Sequence, residues 1–249
     1  MLADLSISTE DSSALIRPAS FDRKELSYDI RRIRPGEESA ALNGLMNSVA
    51  NDFGLPREEF FTPAGRHTSS GIVFTKYVNG KDGVGQVSQT LNQALHCDVA
   101  LFSGKAPRGF SEESWERDKR LFAARFKSNN APLLVATKAF GMGIDKPNIR
   151  YTVHYGMPSS LEAFYQEAGR AGRDREDAIS YIIYSELDPG FTDELLDPGR
   201  NIEDIRGQLD TVPRSSRDDA SNSLWFHLNS FQGISKELEA TSGLLDAIL

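Results

Sequence analysis

Short apolar runs and amphipathic segments alternate between residues 71 and 184, and this alternation restricts the possible folds more than any other feature of the sequence. The runs that we expect to be strands begin at Gly71, Asp98, Leu133, Ile149 and Ala178. The segments with helical spacing are residues 84–95, 112–127 and a stretch that starts near Ser159. Strands that alternate with helices are typical of parallel α/β sheets, whose right-handed crossovers place helices on both faces. The sequence therefore predicts an α/β fold.

The same reasoning extends to the segments that flank this core. Leu26, Tyr28 and Ile30 alternate with polar residues, which predicts an edge strand within residues 20–33. Residues 37–53 have helical spacing, and residues 54–70 read as a loop because they hold Pro56 and Pro63.

Apolar positions within two of the helices predict which residues are buried. In residues 112–127 we expect burial of Trp115, Leu121, Phe122 and Phe126, and exposure of Arg117, Lys119 and Arg120. Ser159 and Glu162 resemble a capping box that begins the last helix of the sheet region. Its predicted core face consists of Leu161, Phe164, Tyr165 and Ala168.

Both ends of the chain differ from the middle. Residues 1–19 are polar and irregular and read as a tail or linker, ahead of a main domain at 20–185. Residues 186–249 form an acidic, mainly helical extension that contains Pro189, Pro198 and Pro213. Within it we expect helices at 202–209 and 224–249, and an aromatic cluster made of Trp225, Phe226, Leu228 and Phe231. The extension is either a helical cap or further domain, or a partner-binding helix.

The net charge of −8 is unevenly distributed. Residues 1–65 hold 7 basic and 11 acidic side chains (−4), residues 66–184 hold 16 and 12 (+4), and residues 185–249 hold 5 and 13 (−8). A local basic surface can neutralise phosphates even when the total charge is negative. The modest excess in the middle predicts weak binding of nucleic acid by this chain alone.

Composition also suggests a compartment. Cys97 is the single cysteine, so the chain can form neither an internal disulfide nor a cysteine-based zinc site, and no metal-ligand spacing is visible. Neither a secretory signal nor a long apolar run is present. We expect a cytoplasmic protein.

The first candidate site is an arginine-rich segment. Arg170 and Arg173 each follow a glycine, and Gln166 precedes the first arginine by four residues. On a continuing helix these three side chains would share one face. Arginine suits phosphate oxygens, and Gly169 and Gly172 would let a polyanion approach the backbone. The alternative is an ordinary surface pair that forms salt bridges with Glu162 and Glu167.

The second candidate site follows the apolar run at Leu133. This run ends at Thr137 and continues into a Gly-rich stretch that carries Gly141, Gly143 and Asp145. Polar loops at the carboxyl ends of strands are where parallel α/β sheets bind ligands. The sequence therefore predicts a site at that edge of the sheet.

Together the two segments resemble motifs V and VI of superfamily 2 helicases, most closely the RecQ branch. The resemblance lies in Ala136-Thr-Lys-Ala-Phe-Gly-Met-Gly-Ile-Asp-Lys-Pro147, Val153-His-Tyr155 and Tyr165-Gln-Glu-Ala-Gly-Arg-Ala-Gly-Arg-Asp174. Thr75-Lys76 matches motif IV in position, and Ser20-Phe-Asp-Arg23 resembles the start of the second motor domain. The chain departs from the family at Phe102-Ser103-Gly104, where Tyr-His-Ala-Gly is usual, and it lacks the four-cysteine zinc module.

The resemblance implies the second RecA-like domain of an ATP-dependent DNA helicase, with 3'–5' polarity. Arg170 and Arg173 would be arginine fingers, and Gln166 would position the γ-phosphate or the attacking water. Gly143 and Gly169 would contact the nucleotide, and Asp145 would either contact its ribose or hold the arginines in place. The residues implied to hold the backbone of a DNA strand are Thr75, Lys76, Ser103, Thr137 and Lys138.

A first RecA-like domain, in cis or trans, would hold most of the ATP and Mg²⁺, because this sequence has no Walker A or Walker B motif. We therefore expect the chain alone to be inactive. Both arginines are expected at the carboxyl edge of the sheet, reaching across a cleft. If both were buried in pairs inside the domain, or aimed away from that edge, the motor assignment would fail.

Two other functions remain open. One is a superfamily 2 motor that acts on RNA or translocates on double strands. The other is a non-catalytic binding module that kept the fold and recruits a partner through its acidic, aromatic tail.

Overall fold

The computed structural model describes residues 23–137, 145–195, 197 and 199–230 of the chain. Its strands are β1 (Leu26–Ile33), β2 (Ser70–Thr75), β3 (Val99–Phe102), β4 (Leu133–Ala136), β5 (Ile149–Tyr155) and β6 (Ala178–Ser185). Its helices are α1 (Glu38–Asp52), α2 (Arg57–Phe60), α3 (Val84–Leu95), α4 (Glu112–Lys127), α5 (Leu161–Ala168), α6 (Pro189–Leu195), α7 (Ile202–Thr211) and α8 (Asp219–Ser230).

The strands form one six-stranded sheet in the order β1-β6-β5-β2-β4-β3, and every pairing is parallel. All carboxyl ends therefore meet at one edge of the sheet, and all amino ends meet at the opposite edge. The predicted edge position of β1 is confirmed, because β1 pairs with β6 alone.

Side chains that alternate along the strands contribute to two separate cores. Val73, Val135 and Val153 pack on one face with α1 and α3. Ile72 and Leu134 point to the other face and pack with residues of α4 and α5. This arrangement confirms the predicted parallel sheet with helices on both faces.

Several helical residues are less buried than their spacing predicts. Leu121 is 58 % exposed because α4 lies over the edge strand β3, where only part of the helix is covered. Leu161 and Tyr165 are also exposed, since α5 rests on the sheet through Ala168 and Phe164. Those three predictions of burial are wrong. The predicted cap is wrong as well: Ser160, not Ser159, accepts the hydrogen bond from Ala163 N, at 3.0 Å.

The predicted loop at 54–70 is partly helical. It contains α2 and a 3-10 turn at Gly65–His67. Phe60 and Phe61 are buried in the core beside α1, so this segment covers one end of the sheet rather than lying free on the surface.

The C-terminal extension is helical, as predicted, over the part that the structure describes. α6 starts at Pro189, where a helix break is expected from the sequence, because proline is well tolerated in the first turn of a helix. Trp225 donates to Asp210 at 2.8 Å and stacks under Arg217, whereas Phe226 is more than half exposed.

Some predictions concern segments outside the described residues: the tail at 1–19, Phe231 and the remainder of the C-terminal helix. Among the described helices, none has the length and apolar character that a membrane span requires.

Candidate functional site

Three of the predicted contact residues lie side by side at the carboxyl edge of the sheet. Phe74, Ala136 and Phe102 are register partners in β2, β4 and β3. The next residues, Thr75, Thr137 and Ser103, therefore follow three adjacent strands in a row about 10 Å wide, at ~4.8 Å per strand. The structure brings together exactly the hydroxyl residues that the sequence singles out at these strand ends.

Two of the hydroxyl groups in this row donate hydrogen bonds within the protein. Thr75 Oγ1 donates to Tyr77 O at 3.1 Å, and Ser103 Oγ donates to Lys105 O at 2.6 Å. Both side chains are buried, and so is that of Thr137. The hydroxyls of Thr75 and Ser103 consequently fix the shape of the loops that leave β2 and β3.

Lys76, next to this row, forms an ion pair that the sequence did not reveal. Its Nζ bonds the carboxylate of Asp219 at the start of α8, and the other carboxylate oxygen accepts from Ser185 N at 3.1 Å. The acidic extension thus lies directly on a lysine predicted to bind phosphate.

The arginine segment does not continue the helix. α5 ends at Ala168, and the amides of Arg170 and Ala171 bond back to Glu167 O and Ala168 O at 3.2 and 3.1 Å. The chain then turns away, with Gly172 at φ 65°. The predicted common helical face of Gln166, Arg170 and Arg173 is therefore wrong. We call residues 169–175 the arginine turn.

The arginine turn lies at the amino edge of the sheet, so its predicted location at the carboxyl edge is wrong, and the orientation on which the sequence-based motor assignment depends is not observed. Gly172 N donates to Ile149 O, at the first residue of β5, and Ala178 begins β6 shortly after the turn. The physical reason is the path of the chain: α5 begins after the carboxyl end of β5 and returns to the amino end of β6. The two candidate sites occupy opposite edges.

The two arginines differ in exposure. Arg170 is buried, with 6 % of its surface accessible. Burial lowers the pKa of its guanidinium, the Arg173 charge lowers it further, and Glu167 acts in the opposite direction. Arg173 is exposed to 37 % and its Nη1 lies 3.0 Å from Asp145 Oδ1. Of the pair, only Arg173 presents its charged end to the surface.

Asp145 joins Arg173 at the amino edge. Its side chain is 87 % exposed, so one carboxylate can contact both Arg173 and a hydroxyl-bearing ligand. The sequence leaves two roles open for Asp145, contact with the ribose or support of the arginines, and this ion pair supplies the contact that the second role needs.

Arg23 holds the arginine turn from outside it. Its guanidinium donates to Gly169 O at 2.8 Å, to Ala171 O at 2.7 Å and to Gly172 O at 2.8 Å. Sequence reasoning recognised Arg23 only as part of the Ser-Phe-x-Arg element and gave it no role. Since the three carbonyls lie about 148 positions away in the chain, only the fold reveals the contact.

The glycines of the turn serve its own packing. A Cβ on Gly169 would lie 2.7 Å from Tyr165 O, and a Cβ on Gly172 would lie 3.1 Å from Ala178 Cβ. Protein atoms therefore occupy the direction in which a Cβ would extend from each glycine, and the approach of a polyanion to this backbone stays a prediction. A nucleotide contact by Gly169 stays a prediction.

The end of α5 is attached to the sheet through Glu167. Its Oε2 lies 3.1 Å from Nε2 of His154, a buried residue of β5 whose ring stacks on Phe74. Gln166, on the exposed side of α5, donates to Glu162 Oε1 at 3.2 Å. Glu162 and Glu167, the carboxylates considered as partners of the arginines, thus contact Gln166 and His154.

Asp174 fixes the far side of the turn. Burial opposes ionisation of its carboxyl group, but hydrogen bonds from Arg150 and from Glu176 N outweigh that effect and hold its pKa below the ordinary value.

Two predicted contact residues, Lys138 and Gly143, lie outside the described part of the chain. The described residues contain no group of three or more His, Cys, Asp and Glu side chains arranged to hold a metal ion.

Comparison with known proteins gives a consistent result. Residues 59–175 match the family described as the helicase conserved C-terminal domain. The ATP-dependent DNA helicase RecQ of Pasteurella multocida is 34 % identical over 149 residues, which cover 58 % of this chain and 22 % of that protein. A protein of Acanthamoeba polyphaga mimivirus named as an ATP-dependent RNA helicase is 52 % identical over 60 residues, or 24 % of this chain and 11 % of that protein.

Among solved structures, helicase domain 2 of the DEAD-box protein Mss116p, bound to an RNA duplex, superposes with a TM-score of 0.49 at 16 % identity. That superposition covers 75 % of this chain and 74 % of the other. The matched part spans less than a quarter of the length of each sequence relative.

Proposed function

Because residues 59–175 are a helicase conserved C-terminal domain of the RecQ-like kind, we propose that this chain is the second motor half of an ATP-dependent DNA helicase. The observation that carries the proposal is Arg173: a surface arginine, paired with Asp145, on the turn that ends the motif VI helix. A first RecA-like half would bind ATP and Mg²⁺ against this edge.

The residues at the amino edge suit a nucleotide that is held mainly by another domain. The planar guanidinium of Arg173 can bind phosphate oxygens, and the exposed carboxylate of Asp145 can accept hydrogen bonds from ribose hydroxyls. ATP supplies the phosphoryl group that is transferred to water. Arg173 would stabilise negative charge on that group, a contribution of about 10³–10⁵ in rate where it has been measured in other enzymes.

Arg170 has a different part in this proposal. Its burial argues against direct contact with a ligand that approaches from solvent. It would instead support the turn from inside, while Arg173 alone acts as the finger. The sequence-based expectation has two equivalent arginine fingers, whereas this proposal assigns that role to Arg173 alone.

The carboxyl edge would hold a strand of DNA. Loops fixed by Thr75 and Ser103, together with Lys76, are suited to contacts with the sugar-phosphate backbone, which grip without reading sequence. In this chain Lys76 must first separate from Asp219. The proposed direction of movement is 3'–5'.

One segment of the chain connects the two edges. Residues 137–149 begin at the carboxyl end of β4 with Thr137 and end at the amino end of β5, just after Asp145.

The test compares ATP hydrolysis and strand separation by the complete motor, with both RecA-like halves present, and by variants at Arg173. Arg173→Ala should lower kcat by about 10³ or more, whereas Arg175→Ala, an exposed arginine of the same turn, should stay close to the unmodified motor. If the Arg173 and Arg175 variants both hydrolyse ATP at the rate of the unmodified motor, Arg173 is not an arginine finger. That result would favour a non-catalytic binding module. The chain by itself should hydrolyse no ATP.

RNA is the second candidate substrate, and the mimivirus relative named as an RNA helicase favours it. The same motor should be offered DNA and RNA duplexes of identical sequence with matching single-stranded overhangs. Faster separation of the RNA duplex would replace the DNA assignment while leaving the role of Arg173 unchanged.

A further inference from the structure

Arg23 uses its whole guanidinium group to hold one piece of backbone. Nη1 donates to Gly169 O, Nη2 donates to both Ala171 O and Gly172 O, and all three distances are 2.7–2.8 Å. The remaining nitrogen, Nε, donates to Glu25 Oε1 at 2.7 Å. Each nitrogen of the side chain therefore has a fixed partner, and its orientation is defined from two sides.

The three carbonyls belong to the residues that surround the two arginines of the turn. Gly169 precedes Arg170, and Ala171 and Gly172 lie between Arg170 and Arg173. Gly169 is the cap residue at the carbonyl end of α5, where a nearby cation is favourable. Arg23 supplies that cation together with the hydrogen-bond donors.

Other contacts hold the turn at different points, among them the bonds from Arg150 to Asp174. Gly172 N donates to Ile149 O, which secures one point of the turn to β5, and Asp145 contacts the tip of the Arg173 side chain. Asp145 is itself largely exposed and cannot serve as a rigid support. The bonds from Arg23 are the ones that join the turn to the start of β1, through Glu25, whose carbonyl accepts from Ala178 N at 2.8 Å.

We infer that Arg23 is a positioning residue for the motor: it fixes the backbone of the arginine turn so that Arg173 projects at one place on the amino edge. This inference rests on the proposed function of Arg173. Lysine could not reproduce the arrangement, because its ammonium is a point charge and lacks the planar fork that reaches three carbonyls at once.

The first experiment is independent of catalysis. Hydrogen exchange of the full chain is followed by mass spectrometry in peptides that cover residues 161–177, for the unmodified protein, Arg23→Ala, Arg23→Lys and Lys24→Ala. Lys24 is the matched control, since it is the adjacent basic residue and its side chain is exposed. Peptides from β2 and β4 report whether the fold is intact in each variant.

Arg23→Ala should speed exchange in the arginine turn by about tenfold or more while β2 and β4 keep their protection, because the turn would open locally. Lys24→Ala should change nothing, and Arg23→Lys should give an intermediate rate. Unchanged exchange in Arg23→Ala would overturn the inference, and so would full protection in Arg23→Lys, because charge alone would then suffice.

The second experiment uses the complete motor and a double-mutant cycle. Arg23→Ala should lower kcat for ATP hydrolysis by about 10- to 100-fold, the effect expected of a displaced catalytic group, with KM changed less. In combination with Arg173→Ala it should add little further loss, since both changes act through one guanidinium. A purely structural role would instead give additive losses and would overturn the inference.

The outcomes separate the inference from the proposed function. If Arg173→Ala leaves ATP hydrolysis intact, the finger role fails, and the exchange data still decide whether Arg23 holds the turn. If Arg173→Ala is inactive but Arg23→Ala turns over normally, the finger role stands and the inference about Arg23 is wrong.

Discussion

The ion pair between Lys76 and Asp219 leads us to predict that substitutions of its two members change the affinity for nucleic acid in opposite directions. Asp219 covers a lysine that the proposed function assigns to the nucleic-acid backbone, so nucleic acid must displace Asp219 before it can use that lysine. Asp219→Asn removes the competing charge but keeps an oxygen that can accept from Ser185 N. We expect Asp219→Asn to tighten binding of single-stranded DNA and Lys76→Ala to weaken it.

The exposure of the pair limits the size of both effects. The side chains are 32 % and 19 % accessible, and a partly exposed ion pair contributes at most about 1 kcal/mol. Removal of the competitor should therefore lower Kd by no more than about fivefold. Loss of one phosphate contact in Lys76→Ala should reduce the slope of log Kd against log salt concentration by ~0.7.

Fluorescence anisotropy with a labelled single-stranded oligonucleotide, measured over a range of salt concentrations, gives both quantities. Lys127→Ala is the matched control, because Lys127 is an exposed lysine at the end of α4, which leads to the opposite edge of the sheet. The reasoning is refuted if Lys76→Ala and Lys127→Ala have the same affinity and salt slope, or if Asp219→Asn binds no more tightly than the unmodified chain.

Three further predictions concern the stability of the fold. Burial lowers the pKa of Lys146 from 10.5 to about 8, so between these pH values the unfolded chain binds the extra proton. The free energy of unfolding should therefore rise as the pH rises through this interval, and Lys146→Met should abolish that rise in urea titrations. Gly71→Ala would place a Cβ 2.0 Å from the ring of Tyr151 and should lower the free energy of unfolding by about 1–3 kcal/mol in urea titrations. In a chain that already carries Tyr151→Ala, which removes the ring, the additional cost of Gly71→Ala should be smaller. Trp115→Ala should cost about 3–5 kcal/mol, whereas Leu121→Ala, on the exposed side of the same helix, should stay within about 0.5 kcal/mol; equal losses would show that α4 is packed differently.

The sequence is sufficient to predict the elements of the sheet because its strands are short, apolar and separated by amphipathic helices. α3 and α4 have the predicted bounds, and the ends of β2 and β4 carry the predicted hydroxyl residues. These features depend on local spacing alone. The order of the strands in the sheet cannot be predicted in the same way. β1 pairs with β6 across about 150 residues, and no local pattern specifies that pairing.

The predictions that fail share a physical cause: they depend on which surface an element meets. Leu161 and Leu121 have helical spacing but face solvent, because short or edge-lying helices cover the sheet with one narrow stripe. Arg170 and Arg173 continue the periodicity of α5, yet the helix ends at Ala168 and the carbonyls that follow turn toward Arg23. The Ser-Phe-x-Arg element draws attention to Arg23. The sequence does not show, however, that the Arg23 guanidinium binds the backbone carbonyls of the arginine turn.

The location of the arginine turn follows from topology, and it restricts how the two proposed sites can influence each other. β5 has seven residues, so at ~3.3 Å per residue the two edges of the sheet are about 20 Å apart. This separation exceeds the Debye length of about 8 Å at physiological salt, so the charge of a bound nucleotide is screened before it reaches Lys76. Packed elements whose positions change offer a route over this distance that does not depend on solvent screening. α5 can supply such a route, because Glu167 contacts His154 of β5 while the arginine turn continues from the end of the helix. A shift of the turn would therefore act on the middle of the sheet through packing, and the burial of Arg170 beside Glu167 ties the turn to that path.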